Sequence, residues 1–371
     1  MEKFIPVDPH EITPEWLTAA LRESGSITQA AVQSVSSSAL ETEHGMTGNL
    51  VRLRLAYDPD EASAPRTLVA KFSTRDPAGQ EVLFTVTHHY EREHRFYEKL
   101  SGRTQLRTPR CYYSDIDIEA RKYILLMEDM APVKSGNMAV GCSIEQAELA
   151  LREIAGFHAA WWDSPELETM TWMPEFGETQ LSQYAGMFRA AWEPFCQKMG
   201  ERLPAGMSDI DLLLNEHVGD IWSHITQPPW TVVHADYHIE NLFFMPAGSA
   251  ERLLVADWQM MMFGRAAFDV GLLLGGNLDP QVRAQQEMGL LSLYHKLLLE
   301  NGVKDYSFEQ FYYDYHIAIL ASLSRWMIAM GLFMPPEQVP QAWDGPVSRY
   351  FAAVQDLDLG ALLPIRIHIS A

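Results

Sequence analysis

Cysteine is scarce in this sequence, and its three copies are far apart. Cys111, Cys142 and Cys196 form no Cys-x-x-Cys pair in a chain of 371 residues. A disulfide framework or a zinc site would need matched sets of cysteines at short spacing, so neither is indicated. This cysteine usage instead predicts a reducing compartment.

Basic residues are also few. Lys and Arg total 28 against 49 Asp and Glu, which leaves a formal net charge of −21. A surface of this sign opposes binding to nucleic-acid backbones and anionic lipid, so we expect no nucleic-acid partner. The same charge could favour a cationic substrate, but it is equally typical of the surface of a soluble cytosolic protein.

The sequence lacks an uncharged apolar run of the length that a membrane-spanning helix needs. Its first ten residues contain no long apolar core of the kind found in signal peptides. We therefore expect a cytoplasmic protein without a membrane partner. With 47% apolar and 21% charged residues, the composition predicts one large or two ordinary globular domains and leaves the oligomeric state open.

Polar residues crowd into one stretch between two short apolar strands. Val232 and Val233 lead into it, and Leu242–Phe244 leads out. Between them lie five polar side chains that a packed strand would exclude: His234, Asp236, His238, Glu240 and Asn241. Such crowding indicates a functional loop, because binding and catalytic groups concentrate on loops held by a scaffold.

A third apolar strand, residues 253–256, follows a turn and ends at Asp257. A hairpin would bring Asp257 beside Asn241. Phosphoryl transfer uses an acidic residue that accepts the proton of the attacking hydroxyl, together with oxygen ligands for Mg²⁺. We therefore predict Asp236 as the base and Asn241 and Asp257 as Mg²⁺ ligands. His234 is predicted as a scaffold whose ring bonds the loop backbone.

The pattern His-x-Asp-x-x-x-x-Asn, formed by His234, Asp236 and Asn241, resembles that of the protein-kinase-like small-molecule kinases. This group includes aminoglycoside phosphotransferases, choline kinases and the ecdysteroid-kinase-like proteins. Asp257-Trp-Gln, together with a leading Thr-Pro-Glu-Trp-Leu helix, looks most like the ecdysteroid-kinase-like branch. His238 matches a second histidine common in the aminoglycoside group, where it supports the loop.

The resemblance implies an α+β, two-lobed protein-kinase-like fold that uses ATP and Mg²⁺. Its strand-rich N-terminal lobe would span residues 1–130, and its larger helical C-terminal lobe residues 131–371. At the junction, the backbone of Glu128, Asp129 and Met130 would contact the adenine.

The N-terminal part has strand patterns at residues 34–40, 50–57 and 67–73. Between the first two, Gly45 and Gly48 would let backbone amides approach and cradle phosphates. This loop nevertheless lacks the full Gly-x-Gly-x-x-Gly of protein kinases. In the third strand, Lys71 is a candidate for an interior charge.

A carboxylate completes the apolar stripe of the helix predicted over residues 83–100. That carboxylate is Glu93, and a glutamate on a buried face needs a counter-charge. In the kinase plan, the strand lysine pairs with a glutamate of this helix while it holds the nucleotide phosphates. We predict the pair Lys71–Glu93, with Glu91 and Glu98 as alternatives.

Two further residues are predicted to have structural roles. Asp269, which precedes an apolar helical run, is expected to cap a helix and brace the catalytic loop. His158, on the core helix over residues 145–162, is expected to be a satisfied core histidine.

The segment between Asp257 and Asp269 is short and contains no Ala-Pro-Glu, which disfavours a protein kinase. We therefore predict transfer of the γ-phosphate of ATP to a hydroxyl of a small molecule. Aromatic and methionine residues that could form the wall of a site, together with the resemblance, favour a bulky apolar acceptor. The alternatives are a cationic acceptor of the aminoglycoside or choline type, and a nucleotide-binding pseudokinase that acts as an interaction module. The candidate wall residues are Trp161, Trp162, Trp172, Trp192, Tyr312, Tyr313, Trp326, Met327, Met330 and Met334.

Overall fold

The computed structural model describes residues 4–40, 49–174, 176–246, 248–249 and 252–359. Gly45 and Gly48 lie outside these residues, so the phosphate cradle stays a prediction. The fold is α+β, and the chain forms two compact units, Met1–Lys134 with Val255–Met260, and Ser135–Leu254 with Met261–Ala371. The first unit therefore ends four residues later than the predicted lobe, and it also takes in the segment that contains Asp257.

The first unit is built on a five-stranded antiparallel sheet of order β1-β2-β3-β5-β4. The strands are β1 (Ala31–Ala39), β2 (Asn49–Asp58), β3 (Thr67–Phe72), β4 (Cys111–Asp117) and β5 (Lys122–Glu128). Apolar residues alternate along β2, where Leu53 and Leu55 are buried and Arg54 is exposed. This period of two gives the sheet one apolar face.

Helix α1 (Pro14–Glu23) covers part of this sheet through contacts with β1 and β4. The Thr13 hydroxyl accepts from the Trp16 amide at 3.2 Å, and Gly25 follows the helix with a φ of 68°. Thr13 is thus the N-cap of the helix, and the left-handed Gly25 ends it.

The helix predicted over residues 83–100 is interrupted in the structure. A first segment, α2 (Pro77–Glu81), continues as a π-helical turn to Val86, and a second, α3 (His89–Arg95), continues as a π-helical turn to Leu100. Between them, His88 has a φ of 52°. A left-handed residue cannot continue a right-handed helix. Of the apolar positions that predicted a single helix, Leu83 and Tyr90 are buried, but Val86, just before the break, is 63% exposed. Periodicity in the sequence alone does not reveal the break.

The second unit consists mainly of helices around α9 (Phe308–Ile328). This helix packs against α5 (Glu178–Met199), α6 (Met207–Ile225), α7 (Ala267–Asn277) and α11 (Ser348–Asp356). Gly271 on α7 permits a close approach, because a Cβ there would lie 2.7 Å from the Cβ of Ala318. The unit also contains α4 (Ile144–Trp161), α8 (Pro280–Glu300) and α10 (Val339–Ala342). Two short strand pairs complete the fold: β6 (Thr231–Val233) with β9 (Met262–Gly264), and β7 (Leu242–Phe244) with β8 (Leu253–Val255).

By length and composition, Phe308–Phe333 is a candidate membrane span, but 72% of its apolar window is buried inside the protein. The core helix of a globular protein has the same property.

Candidate active site

The residues between β6 and β7 form a tight loop within the second unit. Ala235 is left-handed (φ 60°), and the His238 amide donates to the Asp236 carbonyl at 2.9 Å. The Asn241 amide then donates to the His238 carbonyl at 2.9 Å in a 3₁₀ turn. These bonds bring the side chains of Asp236, His238 and Asn241 together.

A buried carboxylate holds the start of this loop. Asp269 accepts from the His234 amide at 2.7 Å and from the Ala235 amide at 2.8 Å. Asp269 thus braces the loop, but it does not cap α7, whose cap position is Ala266. It lies in the first helical turn, where a negative charge is also favourable because of the helix dipole. Aspartate is favoured both at the N-cap and in the first turn of a helix, so the sequence alone does not show which of the two positions Asp269 occupies.

His158 on α4 supports this carboxylate in turn. Its Nε2 lies 3.1 Å from Asp269 Oδ2, and its Nδ1 lies 2.6 Å from the Tyr294 hydroxyl. The ring is fully buried, and both nitrogens have partners, as expected of a core histidine. Sequence reasoning missed that one partner is the residue bracing the catalytic loop, because nothing in the sequence links positions so far apart.

Three side chains contact the carboxylate of Asp236. Arg325 Nη2 donates to Oδ1 at 2.9 Å, while His238 Nε2 and Asn241 Nδ2 each lie 3.1 Å from Oδ2. Burial alone would raise the pKa of Asp236, but His238 and Arg325 hold that pKa well below its usual range. The side chain keeps 22% exposure. Asp236 is therefore ionised and accessible, as a proton acceptor must be.

The remaining loop side chains orient this group. His234 is fully buried, and its Nδ1 accepts from the Asp236 amide at 3.2 Å, which places its ring against the loop backbone. Asn241 Nδ2 donates to the Asp236 carbonyl at 2.9 Å as well as to its carboxylate. The amide oxygen of Asn241 therefore faces away from Asp236. A neutral oxygen presented in this way fits a Mg²⁺ ligand.

Sequence analysis did not identify Arg325. This residue lies near the C-terminal end of α9, 89 positions from Asp236. The available signal was a charged residue within an apolar core helix, which indicates a partner without specifying one.

In the first unit, Lys71 on β3 is buried between two carboxylates. Its Nζ lies 2.8 Å from Glu93 Oε2 on α3 and 3.0 Å from Asp257 Oδ1. Burial alone would lower the pKa of Lys71, but the charges of Asp257 and Glu93 raise it above its ordinary value. Glu93 also accepts from the Tyr123 hydroxyl at 2.9 Å. The predicted ion pair is therefore present, and the lysine is charged.

The two alternative glutamates have a different partner. Glu91 lies 3.6 Å from Arg95 Nε, and Glu98 lies 2.8 Å from Arg95 Nη1. Glu93 is 1% exposed. The helical spacing therefore identified the one glutamate, among the three candidates, whose side chain faces the interior.

The tripeptide that begins at Asp257 packs within the first unit. Gln259 Nε2 donates to Asp257 Oδ2 at 3.3 Å, and Gln259 Oε1 accepts from Lys71 at 3.3 Å. Trp258 is fully buried and stacks on Phe96 with ring centroids 3.9 Å apart. The side chain of Asp257 remains 32% exposed, which fits a carboxylate ligand for a hard cation. Its predicted pairing with Asn241, which belongs to the second unit, stays a prediction.

At the predicted adenine-contacting segment, the side chains of Glu128 and Asp129 bond within the first unit. Glu128 pairs with Arg107 at 2.7 Å, and Asp129 accepts from Arg52 Nε at 2.7 Å. The Met130 carbonyl accepts from the amide of residue 133 at 2.9 Å. Contact between this backbone and an adenine stays a prediction.

The candidate wall residues fall into two groups. Four of them belong to the buried core: Trp161, Met327, Met330 and Met334. The other six are half-buried: Trp162, Trp172, Trp192, Tyr312, Tyr313 and Trp326. Only the half-buried group retains surface with which to contact a ligand.

Comparison with known proteins gives one family and one fold. The model of the ecdysteroid kinase-like family matches residues 43–305. A candidate aminoglycoside phosphotransferase of Ralstonia eutropha superposes with a TM-score of 0.54 at 15% identity, covering 93% of this chain and 97% of the other. For an ethanolamine kinase of Plasmodium vivax the TM-score is 0.50 at 10% identity, with 90% and 82% covered.

The GDP complex of a point mutant of aminoglycoside 2'-phosphotransferase-IIIa superposes with a TM-score of 0.51 at 13% identity, with 94% of this chain and 98% of the other covered. No curated protein matches the chain. At these identities the structures establish the kinase-like fold.

Proposed function

The chain belongs to the ecdysteroid kinase-like family, and we propose on this basis that it transfers the γ-phosphate of ATP to a hydroxyl of a small molecule. Family and fold support a kinase-like phosphotransferase in general. The observation that carries the proposal is the buried Lys71 ammonium held between Glu93 and Asp257. Lys71 and Glu93 are both buried, and burying a pair of charges is costly even when they are in contact. A lysine fixed by a glutamate is how kinases hold nucleotide phosphates.

In the proposed reaction, the acceptor oxygen attacks the γ-phosphorus, and the bond from that phosphorus to the bridging oxygen of ADP breaks. Asp236 accepts the hydroxyl proton as the new bond forms. Lys71 stabilises the negative charge on the phosphates of the leaving nucleotide. His234 and Asp269 keep the loop backbone in place, which holds Asp236 toward the acceptor.

Mg²⁺, when bound, would neutralise phosphate charge and align the phosphates for transfer. The residues proposed to hold it are Asp257, whose carboxylate is partly exposed, and Asn241, whose amide nitrogen is already engaged by Asp236 and whose oxygen is the group that would bind the cation. GDP is the nucleotide in one structural neighbour, so ATP and GTP should be tested side by side.

For the acceptor we propose a bulky, largely apolar compound with a free hydroxyl. The name of the family supports a steroid-like acceptor, and the half-buried aromatic residues supply surface of the right chemistry. The net charge of −21 favours a cation instead, but Arg325 and His238 lie against the Asp236 carboxylate and offset its charge where the hydroxyl would meet it.

The test is ADP or GDP release from purified protein with Mg²⁺ and an acceptor panel of hydroxylated apolar compounds, aminoglycosides and choline. We expect selective release with apolar alcohols. Selective release with aminoglycosides or choline would contradict the acceptor assignment, and nucleotide binding without turnover on any acceptor would support the pseudokinase alternative.

Asp236→Asn serves as the blank. It should abolish transfer and preserve nucleotide affinity, because a base acts on the acceptor and not on the nucleotide. Turnover within about tenfold of wild type would show that Asp236 is not the base.

A further inference from the structure

Arg325 reaches the proposed base from outside the catalytic loop. Its Nη2 donates to Asp236 Oδ1 at 2.9 Å, and its Nη1 donates to the Ala235 carbonyl. One planar guanidinium thus bonds both the backbone before Asp236 and the side chain of Asp236. A rigid fork of this kind constrains direction as well as distance, which a lysine could not do.

The two oxygens of the carboxylate are held by different parts of the chain. Oδ2 contacts His238 and Asn241, which belong to the same loop. In the part of the chain that the structure describes, the hydrogen bond to Oδ1 comes from Arg325. The loop alone therefore leaves the carboxylate able to rotate about its last side-chain bond, and Arg325 restricts that rotation.

The core of the second unit fixes Arg325 itself. The preceding residue, Ser324, is buried, and its hydroxyl accepts from Trp222 Nε1 at 3.1 Å. The guanidinium lies over the Phe268 ring at 6.0 Å from its centroid. The Arg325 side chain is 20% exposed, so it is anchored by packing and still reaches the accessible Asp236.

We propose that Arg325 is a positioning residue for Asp236: it holds the carboxylate where the acceptor hydroxyl must meet it. The inference rests on the proposed phosphotransferase function. Loss of the Arg325 side chain should affect the step that involves the acceptor, whereas nucleotide binding should not depend on this side chain. Misplacing a reacting group by about 1 Å costs on the order of 100-fold in rate.

The test compares Arg325→Ala, Arg325→Lys and wild type by kcat, KM for the acceptor and nucleotide affinity. We expect kcat to fall about 100-fold in Arg325→Ala with unchanged nucleotide affinity. Arg325→Lys should recover part of that loss, and added guanidinium ion should partly restore Arg325→Ala. The matched control is Arg152→Ala, which removes an exposed arginine that pairs with Glu148 on α4 and should leave kcat unchanged.

Three results would overturn the inference. The first is a wild-type kcat in Arg325→Ala, and the second is an equal loss of kcat and of nucleotide affinity in that variant. The third is that neither the lysine variant nor added guanidinium recovers any of the lost kcat. If wild type itself shows no turnover on any acceptor, that result contradicts the proposed function and does not by itself decide the role of Arg325. Crystal structures of wild type and both variants then decide the inference: displacement of the Asp236 carboxylate supports it, and an unmoved carboxylate overturns it.

Discussion

The ion pair between Lys71 and Glu93 can be tested quantitatively through Glu93→Gln, Lys71→Met and the double variant. Glu93→Gln removes the charge at nearly constant shape, and the amide can still accept from the Tyr123 hydroxyl. Lys71 then retains Asp257 at 3.0 Å and Gln259 at 3.3 Å. The lysine is therefore not left unpaired.

Removing one partner of a buried ion pair costs about 3–5 kcal/mol. We expect the lower end, about 3 kcal/mol for Glu93→Gln, because Asp257 still offsets the ammonium charge. Tyr123→Phe, which removes only the hydrogen bond to Glu93, should cost about 1 kcal/mol. Since Lys71 and Glu93 are in direct contact, the double variant should show a coupling energy of about 2 kcal/mol.

The measurement is amide hydrogen exchange on peptides from β3 and α3, because one global transition does not describe a chain with two compact units. Nucleotide affinity is measured on the same variants. If Lys71 holds phosphates, Lys71→Met should weaken nucleotide binding by about 10- to 100-fold, the value of a hydrogen bond to a charged group. Additive stability losses would refute the coupling, and unchanged nucleotide affinity would refute the phosphate-binding role.

Two further predictions concern a ligand and pH. Asp257→Ala should abolish the Mg²⁺ dependence of nucleotide binding in calorimetric titrations, and an unchanged dependence would contradict the metal assignment. Burial raises the pKa of Asp211 to about 6, although Asn215 opposes this shift. Its ionisation in the folded state therefore costs stability above about pH 6, and the cost disappears as pH falls toward 4. Asp211→Asn should raise the free energy of unfolding by about 1–2 kcal/mol at pH 8 and should leave it unchanged at pH 4. The control Asp209→Asn, at an exposed position, should leave the free energy of unfolding unchanged at both pH values. A lower stability of Asp211→Asn than of wild type at pH 8 would contradict the prediction and show that the charge is needed.

Short-range patterns in the sequence identified much of the candidate site. Asp236 and Asn241 are five residues apart, and one tight turn between two strands brings their side chains together. The strand pattern made Lys71 a candidate for an interior charge, and helical periodicity placed Glu93 on a buried face; both side chains are buried in the structure. A buried charge requires a counter-charge, and the resemblance to kinases supplied the pairing of Lys71 with Glu93.

The tertiary structure decided the contacts between residues that no local period relates. Arg325 is 89 positions from Asp236, and His158 is 111 positions from Asp269. The helix break at His88 depends on a left-handed backbone conformation that the apolar stripe does not record.

The return of Asp257 and Gln259 to Lys71 is a contact of the same kind, across 186 and 188 positions. In each case a polar group left in the interior must find a partner, and the packing of whole helices and strands determines which group is within reach. The sequence by itself therefore determined the candidate residues for the proposed chemistry, whereas only the tertiary structure determined which residues hold those candidates in place.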